Sequence, residues 1–183
     1  IIIHSDASTL MGNGHLMRCL TLAEAMKEKG SSVSFISRKH IGNLNHLISQ
    51  KGFQVVELPR TETAKRNNKD FQESDNYRYW LGVSEIQDAE ETICAIGNDK
   101  PDWLIVDHYS LGEKWENEMR PHVKNIMVID DLANRFHDCD MLLDQNWYKN
   151  METRYEGLVP AGCTKLLGPE YALLRPEFSQ VRK

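Results

Sequence analysis

The sequence predicts an α/β protein built on a parallel sheet with helices on both faces. Three observations carry that prediction. Short apolar runs alternate along the chain with stretches of helical period. The runs are continuously apolar rather than alternating, as in strands buried on both sides; Trp103-Leu104-Ile105-Val106 is the clearest. Gly30, Gly52 and Pro59 stand between elements, where helices are capped and strands stop.

Taken in order, Ile1 to Ser5 is expected as a short buried strand. A helix follows from His15 to Lys29, with Leu16, Leu20, Ala23 and Met26 on one face and Gly30 as its C-cap. Val33 to Ile36 reads as the second strand. Asn43 is the expected N-cap of a helix to Lys51, with Leu44, Leu47 and Ile48 inward. Phe53 to Leu58 is the third strand, and residues 60–80 are polar enough to be a loop. Ser84 caps a helix carrying Ile86, Ala89, Ile93 and Ile96. The Trp103–Val106 strand ends in Asp107-His108-Tyr109, and a short helix follows around Trp115 and Met119. Asn125 to Ile129 is a further strand, ending in Asp130-Asp131, and Met141-Leu142-Leu143 is one more. Crossovers between parallel strands are right-handed.

The chain has 183 residues, which suits one large domain with a tail, and a formal net charge of -5. An acidic balance argues against a nucleic-acid or membrane-surface binder. No apolar run is long enough to cross a bilayer. The four cysteines (Cys19, Cys94, Cys139, Cys163) form no CxxC pair. Cys19 and Cys94 lie within apolar helical patterns and are expected reduced and buried, which implies a cytoplasmic location. The last residues, 176–183, read as the start of a helix that continues into something further.

Ligands of an open parallel sheet bind beyond the carboxyl ends of its strands. Three strand ends here are polar: His4-Ser5-Asp6-Ala7-Ser8, Asp107-His108-Tyr109-Ser110 and Asp130-Asp131. They are expected to face one crevice. The first runs into Gly12-Asn13-Gly14-His15, a glycine turn that opens a helix. A helix start offers unpaired N–H groups and the positive dipole end, which suits an anion. An imidazole there can move protons near neutral pH. Gly12 and Gly14 also serve a tight turn whether or not a ligand approaches. No third glycine follows, and Phe35-Ile36-Ser37-Arg38 places no acid at the end of the second strand, so a dinucleotide cofactor is disfavoured.

Arg18 falls one helical turn from His15. It reads equally as a phosphate or carboxylate ligand and as the partner of Asp6 in an ion pair. Asp6 is also a candidate to orient His15. Asp107, His108, Asp130, Asp131 and His137 offer metal-type donors, but their spacing matches no metal motif, and loop-ordering hydrogen bonds are the favoured reading. Tyr109 is either a packing ring or a hydroxyl aimed at a sugar. Met17 and Trp115 are expected in the core.

Several blocks in order resemble one family. His4-Ser5-Asp6-Ala7-Ser8, Met11-Gly12-Asn13-Gly14-His15 and Arg18-Cys19-Leu20 are similar to the opening of the nucleotide-sugar hydrolases of pseudaminic acid biosynthesis and the spore-coat polysaccharide biosynthesis proteins. Asp107-His108-Tyr109, Asp130-Asp131, Cys139-Asp140, Tyr155-Glu156-Gly157-Leu158-Val159-Pro160 and Tyr171-Ala172-Leu173-Leu174-Arg175 resemble the later blocks. At the position of His4 the family commonly carries Arg. The resemblance implies a glycosyltransferase-B-like fold of two Rossmann-like domains, similar to the transferase that completes the lipid-linked peptidoglycan precursor. Residues 1–175 would be its N-terminal catalytic and sugar-binding domain. Residues 176–183 would begin a linker helix to a C-terminal nucleotide-binding domain beyond this chain.

The activity implied is release of UDP from a diacetamido-trideoxy-altrose, or a close analogue, by water attack at the anomeric carbon. His15 would be the base. Asp6, Gly12, Asn13, Gly14, Arg18, Asp107, His108, Tyr109 and Asp131 are the candidate substrate-binding residues. The partner implied is a UDP-sugar, with no cofactor and no metal. Two other functions stay open: a glycosyltransferase of the same fold, and a non-catalytic sugar-binding domain. A metal hydrolase is weaker than either.

Overall fold

The computed structural model describes residues 1–60, 77 and 79–175. It is an α/β Rossmann-like fold in three layers. The sheet has seven strands, all parallel: β1 (Ile2–Ser5), β2 (Ser34–Arg38), β3 (Gln54–Leu58), β4 (Trp103–Asp107), β5 (Asn125–Ile129), β6 (Met141–Asp144) and β7 (Thr164–Leu167). Their spatial order is β3-β2-β1-β4-β5-β6-β7. The chain builds outward from β1 to β3, then returns to the other side of β1 to lay down β4. The carboxyl ends of β1 and β4 therefore form the switch point where such sheets bind ligands. Ile3 pairs with Ile105 and Ser5 with Asp107 across it.

Period-two alternation divides the core. Ile3, Phe35, Ile105, Met127, Ile129 and Leu143 face helices α1 (Gly14–Glu28) and α2 (Asn45–Gln50), where Leu16, Leu20 and Ile48 meet them. Ile36, Leu104, Val106, Ile126, Val128 and Leu142 face α3 (Glu85–Ile96) and α4 (Glu113–Met119), where Ala89, Ile96, Trp115 and Met119 complete the layer. Burial on both faces explains the unbroken apolar runs. α1 ends as its sequence predicts: Gly30 takes φ +88° and donates to the Lys27 carbonyl, while Ser31 N–H reaches Met26. Ser84 Oγ accepts from Gln87 N at 3.1 Å and caps α3.

Three expectations need correction, and a fourth lies mostly beyond the described residues. α2 starts two residues after Asn43, whose side chain accepts from Asn45 N at 3.2 Å and orders the approach to the helix without capping it. Cys94 is exposed, as is Ile86, because both lie on the outer side of α3. The strand β7 is absent from the sequence reading: as an edge strand it keeps exposed positions and lacks a fully apolar run. The loop expected over residues 60–80 falls mostly outside the described residues. Among the described residues no helix is long and apolar enough to cross a membrane.

Candidate active site

The site starts from the turn after β1. Ser8 Oγ accepts from Leu10 N and Met11 N, and Gly12 N donates to the Ser8 carbonyl at 2.9 Å. Closing this turn needs Gly12 at φ +77°, a conformation that costs residues with a Cβ. Thr9 N then bonds the Ile41 carbonyl at 3.0 Å, and Gly42, at φ +72°, lies so close to Thr9 that a Cβ there would collide with its methyl. These contacts fix where α1 begins. Gly12, Asn13 and Gly14 are exposed at that start; Asn13 is the N-cap residue, but its side chain caps nothing.

His15, Arg18 and Cys19 lie at i, i+3 and i+4 on the face of α1 turned to β4. All three meet one carboxylate. His15 Nδ1 is 2.7 Å from Asp107 Oδ1, Arg18 donates from Nε and Nη2 to both Asp107 oxygens at 2.6 Å, and Cys19 Sγ is 3.4 Å away. Asp107 is wholly buried. Burial alone would raise its carboxyl, but His15 and Arg18 override that and hold it well below the usual carboxylate range. An ionised carboxylate only accepts, so Nδ1 carries the proton and Nε2 of a neutral ring is left as the free base. Among the described residues Nε2 has no hydrogen-bond partner.

The structure overturns the expected Asp6–Arg18 pair and the Asp6–His15 contact. Strand parity decides it. Asp107 stands two residues past Ile105 and so faces α1. Asp6 faces the other way, accepting from Arg38 N at 2.7 Å and standing 3.1 Å from His40 Nε2 and 3.6 Å from His108 Nε2. Asp6 is fully buried. His108 is buried too, and its Nδ1 accepts from Ser110 N at 3.1 Å. Asp6, Asp107 and His108 thus sit behind the surface that His15, Tyr109 and Asp131 present. His4 points into the core beside Trp115, 3.2 Å from Asp88.

Burial pushes the His108 pKa from 6.5 down to about 4, against the attraction of Asp6. Below pH 6.5 the unfolded chain takes a proton that the folded chain refuses. This group's stability contribution is therefore complete above about 6.5 and lost as pH falls toward 4. His4 runs the opposite way: its burial is outweighed by Asp88, its pKa is raised, and its contribution fades as pH rises through that value. In an NMR titration the His108 ring is expected to stay neutral down to a midpoint near 4. A midpoint near the ordinary value would show that the ring is not enclosed as described.

Tyr109 lies edge-on to His15, ring centroids 4.4 Å apart, and its hydroxyl donates to Asp131 Oδ1 at 2.5 Å. Burial first, then that bond, raises the Tyr109 pKa, so the hydroxyl stays protonated. Asp131 is held in turn by Asn146 Nδ2 at 3.1 Å, with Arg18 Nη1 3.7 Å off. Tyr148 and Arg154 both donate to its backbone carbonyl. Trp80 stacks on Tyr109 at 5.7 Å, with Tyr77 edge-on to both, and Trp80 is 6.1 Å from His15. Sequence reasoning missed this aromatic wall, although a Tyr77-Arg78-Tyr79-Trp80 cluster closing a polar stretch was its signal. A groove of about 440 Å³ has Tyr77, Tyr109, Arg135 and Phe136 in its lining; His15 stands outside it.

The five metal-type donors do not converge. His137 pairs instead with Glu116 at 2.6 Å, and Asp130 with Arg135 at 2.8 Å. Among the described residues no group of three or more His, Cys, Asp or Glu is placed to hold a metal ion.

Fold and site together define a Rossmann-like α/β protein with a histidine–carboxylate pair and an aromatic wall at its switch point. No family model matches the chain. Over its whole length it is 30% identical to the UDP-2,4-diacetamido-2,4,6-trideoxy-beta-L-altropyranose hydrolase of Campylobacter jejuni, of which it covers 54%. It is 23% identical to an uncharacterized protein of Methanocaldococcus jannaschii, of which it covers 32%. The chain thus spans about half the length of the first of these relatives and about a third of the second.

Proposed function

We propose that this chain is the sugar-side half of a nucleotide-sugar hydrolase, with His15 as the base that activates water. The observation that carries the reading is the 2.7 Å contact of His15 Nδ1 with ionised, buried Asp107, which leaves Nε2 as a free base at the switch point. The similarity to a UDP-sugar hydrolase supports the same class of substrate.

Hydrolysis at an anomeric carbon with a UDP leaving group needs little acid help, because the diphosphate departs as a stable anion. The enzyme must position and deprotonate one water. Nε2 takes the proton as the water oxygen bonds to the anomeric carbon and the bond to the phosphate oxygen breaks. The resulting imidazolium is stabilised by Asp107 across Nδ1. Arg18 orients the same carboxylate from its other side. Tyr109, Trp80 and Tyr77 offer rings to the apolar face of a deoxy sugar, and Asp131 fixes the Tyr109 hydroxyl.

Arg18 makes a poor phosphate grip on electrostatic grounds, since Asp107 holds it through two hydrogen bonds and Asp131 stands close by. The exposed backbone of Gly12, Asn13 and Gly14 then lines the sugar rather than binding the nucleotide, which falls to a further domain outside this chain. Residues 1–175 act as the catalytic half.

Incubating the complete polypeptide that contains this chain with candidate UDP-sugars, and identifying the products, tests the reading. Free sugar and UDP formed with water alone are expected. Turnover that appears only with an added hydroxyl acceptor would make the protein a glycosyltransferase. Binding without turnover would make it a sugar-binding module.

A further inference from the structure

We propose that Cys139 and Cys163 are a site of reversible oxidation, joining as a disulfide when the protein meets a hydroperoxide. Nothing in the proposed hydrolysis uses either thiol. Their sulfurs are 3.6 Å apart with both thiols free. Cys139 lies just before β6 and Cys163 directly before β7, and these strands are neighbours in the sheet. The backbone between them is already tied, since Thr164 N donates to the Asp140 carbonyl at 2.9 Å. Closing the sulfurs to a bond of ~2.05 Å asks for a side-chain adjustment rather than a rearrangement of strands.

The two thiols are not equivalent. Cys139 is 1% exposed, whereas Cys163 is 9% exposed and nearer to solvent. The hydrogen bond from Cys139 holds the Cys163 thiol below its ordinary value against the effect of burial, while the same bond pushes Cys139 up. Cys163 is thus the first to react. Its thiolate attacks a peroxide oxygen, the O–O bond breaks, and hydroxide leaves to give a sulfenic acid. The Cys139 sulfur then attacks that sulfur, losing its proton and releasing water. In sum two thiols and one hydrogen peroxide give one disulfide and two waters. Among the described residues no third His, Cys, Asp or Glu joins the pair to hold a metal.

The cross-link would join cysteines 24 positions apart in sequence and enclose Asn146, Tyr148 and Arg154. These side chains grip Asp131, so the staple anchors one wall of the site from the opposite end of the sheet.

The test treats the 183-residue chain, with exposed Cys94 replaced (Cys94→Ser), with hydrogen peroxide. Loss of two hydrogen masses, a Cys139–Cys163 linked peptide, and a thermal midpoint raised by about 5–10 °C are expected, all reversed by dithiothreitol. Cys139→Ser and Cys163→Ser should each abolish the mass loss. Peptide mapping on the parent chain settles the matter even if either variant folds poorly. Oxygen addition at Cys163 without linkage would overturn the proposal, as would Cys139 and Cys163 both remaining alkylatable, with Cys19, after unfolding.

Discussion

Replacing His15 by alanine is expected to slow the proposed nucleotide-sugar hydrolysis by about 10²–10⁴-fold, the usual contribution of a positioned general base. The loss should fall on kcat with KM little changed, because the imidazole acts on water and not on the bound nucleotide. Asp107→Asn is the sharper companion. It preserves shape but can turn an N–H toward Nδ1, favouring the tautomer whose proton sits on Nε2. A drop of similar size is expected, accompanied by a weakened grip on Arg18. Steady-state kinetics on the complete polypeptide, with circular dichroism to confirm folding, measures both. Near-normal kcat in a folded His15→Ala protein removes the base from His15 and the proposed reaction with it.

Asp88→Ala is expected to destabilise the chain by about 3–5 kcal/mol, enough to unfold many domains. Asp88 is fully buried on α3 and serves three partners at once. Arg38 Nη2 donates to it at 2.5 Å, Trp115 Nε1 at 2.9 Å, and His4 Nε2 stands 3.2 Å away. Removing the carboxylate leaves the buried Arg38 guanidinium with Glu91 and the Pro59 carbonyl, and leaves His4 beside a cation. Urea unfolding followed by circular dichroism reads the change. Asp88→Asn separates charge from hydrogen bonding, since an amide can still accept from Trp115. A shift below about 1 kcal/mol for Asp88→Ala would show that the network relaxes around the gap.

The sequence by itself determined the architecture. Continuous apolar runs required strands covered on both faces, and their spacing required helical crossovers, so six of the strands and the helices stand close to where periodicity puts them. It also determined that His4–Ser8, Asp107–Ser110 and Asp130-Asp131 gather at one sheet edge, because every parallel strand ends on the same side. What it did not decide was which acid meets which base. Asp6 and Asp107 are both strand-end carboxylates able to orient an imidazole, and residue type alone does not choose between them. Only the β1–β4 register and the pleat, which turn Asp107 toward α1 and Asp6 toward Arg38 and His40, settle the pairing. The same holds for Trp80 and Asp88: one comes to the His15 wall from a distant loop, and the other gains three buried partners from three elements. Local pattern records the environment of a residue's own segment. Contacts between segments depend on which face each side chain leaves its backbone, and that is fixed when the sheet assembles.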